Sequence, residues 1–173
     1  MTSEPGAPNR PGPDGDGTRV LSLLLEDHPG ALFRVSGLIR RRGFNIQSLS
    51  VGRSAEPGLS RMSLTVDPGH AEADQVGKQL DKLIDVLEVA DLTAEPTVSR
   101  ELAVAKIGSP AAERPRLLRA VESSGGRVVD VTHDAVIVEL AADAERIDAF
   151  VEMLRPHGIE ALARTGPVVM KRG

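Results

Sequence analysis

Two successive β-α-β-β-α-β units, and hence an α+β chain of two ferredoxin-like domains, are what this sequence predicts. Three observations point there. Apolar runs of strand length alternate with segments of helical period. The order strand, helix, strand, strand, helix, strand occurs twice. Glycines fall where the first helix of each unit has to stop. Each unit is expected to be a four-stranded antiparallel sheet with both helices on one face.

In the first unit the apolar run of strand Arg19–Leu25 stops at the turn Asp27-His28-Pro29-Gly30. A helix over Gly30–Arg42 then places Leu32, Val35, Leu38 and Ile39 on one face, and Gly43 ends it as a left-handed cap. Strand Asn45–Arg53 follows. In strand Leu59–Val66, Met62, Leu64 and Val66 alternate with Arg61, Ser63 and Thr65, as in a sheet with one wet face. A helix from about Ala71 to Ile84 puts Val76, Leu80, Leu83 and Ile84 on one stripe, and strand Val86–Thr93 closes the unit.

The second unit repeats the order: strand Glu101–Ile107, helix Ala111–Ser124, a Gly125-Gly126 break, and strands Arg127–Val131 and Val136–Leu140. A helix beginning after Asp143 carries Ile147, Phe150, Val151 and Leu154, and strand Ile159–Arg164 ends the repeat. The expected organisation is a Pro/Gly-rich tail over 1–17, one domain over 18–95 and another over 96–173.

Composition removes several function classes. With 21 basic and 25 acidic residues the net charge is −4, which disfavours a partner held through phosphates. Three Phe and no Trp or Tyr leave no platform for stacking bases. The absence of cysteine excludes disulfides, thiol catalysis and thiolate metal sites. No apolar run approaches the roughly 20 residues of a membrane span, and the N-terminus lacks an apolar signal core. A soluble, cytoplasmic protein with no nucleic-acid or membrane partner is expected.

The chemistry concentrates at the first helix start. Unbonded N–H groups there, with the helix dipole behind them, suit a small carboxylate, and Gly30 leaves the approach open. Two strands and a helix are expected to gather the loop, the helix N-terminus and Asn45 into one small region. Gly30 and Ala31 with Leu32 beside them could equally be a plain helix start after Pro29, and Asn45 a plain turn residue. Asp27 could meet the ammonium of a ligand or cap the helix, and both roles stay open. Arg40, Arg41 and Arg42 read as a solvated helix end. His28, His70, His133 and His157 show no ligand spacing, so no metal is expected. Phosphate loops and nucleophile elbows are missing from the sequence, so no catalytic residue is named.

Several ordered motifs resemble one family. Asp27-x-Pro29-Gly30-x-Leu32-x-Arg34-Val35, followed by Arg41-Arg42-Gly43-Phe44-Asn45-Ile46-x-Ser48-Leu49, is similar to the first ACT domain of the acetolactate synthase small regulatory subunit. Ser60-Arg61-Met62, Lys78-Gln79-Leu80-Asp81-Lys82-Leu83-Ile84-Asp85-Val86 and Val98-Ser99-Arg100-Glu101-Leu102 continue the resemblance. Val128-Val129-Asp130-Val131 resembles an inner strand of that family's second domain, and Ala163-Arg164-Thr165-Gly166 its end. Glu122-Ser123-Ser124-Gly125-Gly126 departs from the family pattern.

The resemblance implies a non-catalytic subunit, dimeric through its ACT domains, that activates a large catalytic subunit and confers inhibition by valine. Thiamine diphosphate, magnesium and FAD belong to that catalytic subunit, and this chain binds none of them. The implied effector contacts are Asp27, Gly30, Ala31 and Leu32, with Asn45 and Ile46 reaching across the dimer interface. Arg61 and Met62 are candidates for the catalytic-subunit interface. A free-standing amino-acid sensor and an enzyme with an attached ACT domain are the rival classes. The matching second domain counts against the sensor, and two small sheets leave no room for the enzyme.

Overall fold

The computed structural model describes residues 18–67, 75–110 and 112–173. The chain forms two compact units, one running up to Val98 and taking in Val168–Gly173, the other covering Ser99–Pro167. The last six residues therefore belong with the first unit, and not with the second as a single cut near residue 95 would have it. The 1–17 tail lies outside the described residues.

The first unit contains β1 (Arg19–Glu26), α1 (Ala31–Arg41), β2 (Asn45–Arg53), β3 (Leu59–Asp67), α2 (Gln75–Leu80) and β4 (Val86–Asp91). Its antiparallel sheet has the order β2-β3-β1-β4. Leu21, Leu23, Met62, Leu64 and Val66 face Ala31, Val35, Leu38 and Ile39 of α1 and Val76 and Leu80 of α2 in one buried cluster. Burying such side chains contributes about 1.5–3 kcal/mol each. The core stripe of α1 starts at Ala31, leaving Leu32 45% exposed. The described part of α2 ends at Leu80, so Ile84 leaves the helical stripe and stands 84% exposed; the segment from Ala71 to Asp74 lies outside the described residues.

The second unit holds most of β5 (Thr97–Gly108), then α3 (Arg114–Ser123), β6 (Arg127–Val131), β7 (Ala135–Ala142), α4 (Ala144–Leu154), a 3-10 turn over Arg155–His157 and β8 (Ile159–Arg164). Its strand order, β6-β7-β5-β8, repeats that of the first unit. Ile147, Phe150, Val151 and Leu154 pack with Leu117, Val121 and the β5 and β7 side chains. Asp143 caps α4, accepting from the Arg146 N–H at 3.0 Å. In place of an inner strand, Val128–Val131 forms the sheet edge, with Val128, Val129 and Val131 exposed. Among the described residues β7 alone pairs with it, and a register shift between Val128 and Asp130 marks a bulge.

Both first helices end in the same motif. At α1, Gly43 (φ 73°) donates to the Arg40 carbonyl and Phe44 to Ile39; at α3, Gly125 (φ 79°) donates to Glu122 and Gly126 to Val121. The Ser-Ser-Gly-Gly sequence that departs from the family pattern thus closes α3 with satisfied carbonyls.

The end motifs of the second unit fasten each other. Arg164 on β8 grips the buried Glu101 of β5 through Nε at 2.7 Å and Nη2 at 3.0 Å, and reaches Asp148 of α4 at 2.7 Å. Thr165 and Leu102 exchange two further bonds. β9 (Val168–Lys171) pairs with β5. Val169 is buried, and its N–H donates 3.1 Å to Ser63 Oγ on the face of the first sheet that carries no helix. Ser63, expected wet, is buried on that face.

Candidate effector site

Glu26 ends β1, and its N–H donates 2.9 Å to the carbonyl of Asp85. The chain then leaves the sheet. Asp27 N–H bonds the Gly58 carbonyl at 2.8 Å, and Gly30 takes a left-handed φ of 99° as the residue capping α1. Among the described residues no side chain caps this helix start. Asp27 is therefore not the cap. Its carboxylate lies 3.9 Å from Arg53 Nε, beside a cavity of about 280 Å³ that Arg53, Glu56 and Leu59 also line.

Ala31 N–H is taken up by the His28 carbonyl at 3.3 Å, and Arg34 N–H by Gly30 at 3.0 Å. No backbone acceptor meets the N–H groups of Leu32 or Phe33 among the described residues. The anion-receptive donors thus lie one turn position beyond Ala31, whose side chain is buried in the core. Leu32 and Phe33, the latter 78% exposed, put apolar surface beside them.

Asn45 and Ile46 open β2, with Asn45 exposed and paired to Asp67, while the loop end of the sheet pairs Glu26 with Leu59. Asn45 consequently stands at the opposite end of the sheet from Gly30. The expected gathering of both into one region fails within a single chain, because α1 carries the backbone the full height of the sheet before β2 begins. Arg61 projects from the helix-free face, donating to Ser22 Oγ at 3.2 Å with Glu88 at 3.7 Å. Met62 points the other way and is wholly buried, so its side chain offers nothing to a partner.

Sequence spacing missed what holds the loop. Asp85, almost fully buried in the turn before β4, forms an ion pair with Arg34 Nε at 2.6 Å through Oδ2 and meets His28 Nε2 at 3.2 Å through Oδ1. His28 also lies 3.4 Å from Glu26, and its Nδ1 donates 3.0 Å to the Pro29 carbonyl. That carbonyl bond, followed by Asp85 and Glu26, holds the imidazole pKa above its ordinary value against partial desolvation. The signal was present only as the Asp of the Leu83-Ile84-Asp85-Val86 motif, 57 residues from His28.

The strand order of a ferredoxin-like, ACT-type domain is present twice, and in the first copy the first helix starts at a glycine, whereas α3 starts at Glu113. The chain matches the family described as AHAS small subunit-like ACT domain over residues 21–88 and the small subunit of acetolactate synthase over residues 100–173. It is 47% identical over 157 residues to a probable acetolactate synthase small subunit of Methanothermobacter thermautotrophicus, covering 90% of this chain and 94% of that protein. The acetolactate synthase small subunit of Mycolicibacterium smegmatis is 40% identical, covering 92% and 94%. The crystal structure of the small subunit from Thermotoga maritima superposes with a TM-score of 0.81 at 33% identity, covering 90% and 98%. The chain belongs to the acetolactate synthase small-subunit family, regulatory proteins whose catalysis resides on a separate large subunit.

Proposed function

We propose that this chain docks on the catalytic subunit of acetolactate synthase, activates it, and withdraws that activation when valine binds. The thiamine diphosphate, magnesium and FAD of the reaction stay on the catalytic subunit, in the cytoplasm. The observation that carries the effector reading is the start of α1. Two N–H groups, at Leu32 and Phe33, have no backbone acceptor among the described residues and sit beside exposed apolar side chains. That pairing suits a ligand with a carboxylate at one end and an aliphatic group at the other.

Asn45 and Ile46 complete such a site only from a second copy, so the reading requires a homodimer. Effector need favour just one arrangement of that dimer, and a coupling of roughly 1–3 kcal/mol suffices to change the catalytic subunit's output. Arg61 on the helix-free face and the exposed valines of β6 are the surfaces offered to the catalytic subunit. The test is reconstitution with that subunit: stimulation by this chain supports the docking, and unchanged catalytic activity at saturating chain rejects it.

A further inference from the structure

We propose that Glu26, His28 and Asp85 form a binding site for one transition-metal dication of the zinc class at the foot of the β1–α1 loop. One ligand atom from each residue lies within 4.8 Å of the other two. His28 Nε2 stands 3.2 Å from Asp85 Oδ1 and 3.4 Å from Glu26 Oε2. A tetrahedral ion with bonds of about 2.0–2.2 Å holds its ligand atoms about 3.3–3.5 Å apart. The 3.4 Å edge of the triad already has that spacing, and the 3.2 Å edge falls just short of it.

The surroundings are arranged as a ligand set requires. Nδ1 of His28 donates to the Pro29 carbonyl, outside the triad, which turns Nε2 toward the two carboxylates. Arg34 Nε pairs with Asp85 Oδ2 at 2.6 Å, so Oδ1, the oxygen 3.2 Å from His28 Nε2, is the one turned toward the triad. The backbone is fixed as well, since the Glu26 N–H to Asp85 carbonyl bond ties the two segments that supply the ligands. Asp85 is buried, whereas the Glu26 and His28 side chains are 51% and 34% exposed. An ion therefore has a path in, and its fourth position opens to water. An imidazole in the set selects zinc and similar ions over magnesium or calcium.

The test is calorimetric titration of Zn²⁺ into the untagged, chelator-stripped full chain, repeated with Co²⁺ to read visible d–d absorption. One ion per chain is expected, with the absorption of a tetrahedral site. His28→Ala and Glu26→Gln each leave the Arg34–Asp85 pair in place and should weaken binding at least about tenfold. His157→Ala, a surface histidine of the second unit, should bind as wild type does. Glu26→Gln is isosteric at an exposed position and carries the test if His28→Ala fails to fold. The proposal is overturned if the wild type takes up no ion. It is equally overturned if both triad variants bind as tightly as wild type, which would mean an adventitious ion only.

Discussion

Gly30 and Asn45 lie at opposite ends of one four-stranded sheet. The eleven residues of α1 separate them, about 16 Å of helix at 1.5 Å per residue. A single copy cannot bring both to one small amino acid, whereas two copies with exchanged ends can.

Complementation between variants tests that arrangement. Asn45→Ala should weaken valine binding by about 0.5–1.5 kcal/mol through loss of one hydrogen bond. Gly30→Asn places a side chain before the helix start with the residue that, after glycine, best accepts a positive φ. A Cβ at Gly30 meets only Arg34 Nη2, at 4.0 Å, so the cost of the substitution is backbone strain at φ 99° and not a clash. Mixing the two weakened variants and letting them exchange subunits should restore wild-type-affinity sites in calorimetry. A mixture no better than its parts contradicts a shared site.

Asp85 holds the loop, so Asp85→Ala should leave Arg34 and His28 without their buried partner. The expected loss is about 1–3 kcal/mol of stability, read by denaturant unfolding. Valine affinity should fall with it, because the helix start is no longer held against the sheet. Unchanged stability would show that the cluster is only a surface contact.

Two glycines separate steric need from indifference. A Cβ at Gly126 would lie 2.8 Å from Phe150 Cε2 and 3.1 Å from the Glu139 carbonyl. Gly126→Ala should therefore cost about 1–3 kcal/mol by overpacking. At Gly52 nothing lies within 4 Å, and Gly52→Ala should stay within about 0.5 kcal/mol. Equal melting temperatures for the two would contradict the packing described around Phe150.

The terminal strand belongs with the first unit. Removing Val168–Gly173 deletes the buried Val169, its bond to Ser63 Oγ, and the Lys171–Glu95 pair at 2.9 Å. Burial of one valine accounts for about 1.5–3 kcal/mol. The shortened chain should lose stability of that order, with faster amide exchange at Ser63 and Ser22, its partner across β1 and β3. Unaltered exchange at both would show the strand to be dispensable.

The repeated β-α-β-β-α-β order was legible because each element carries its own period, and because Gly43 and Gly125 sit where helices must turn left-handed. Elements without a periodic signal escaped. The four residues of β9 are too short to alternate, and their pairing is set by distant Ser63 and Pro96. Ile84 was misplaced because periodicity does not show where the helix stops. The Glu26, His28 and Asp85 cluster has no spacing to read, since the sheet and not the sequence makes it. Asn45 was wrongly drawn toward Gly30 because flanking one helix in sequence places two residues at its opposite ends in space.

The most direct measurement is a valine dose response of the reconstituted catalytic subunit, with and without this chain. With the wild-type chain, activity should rise on addition of the chain and fall back as valine is added. With Asn45→Ala the same stimulation should persist while the inhibition curve moves about 2- to 13-fold higher in valine, the equivalent of one lost hydrogen bond. Wild-type valine sensitivity in that variant, or no stimulation by the unmutated chain, would contradict the account.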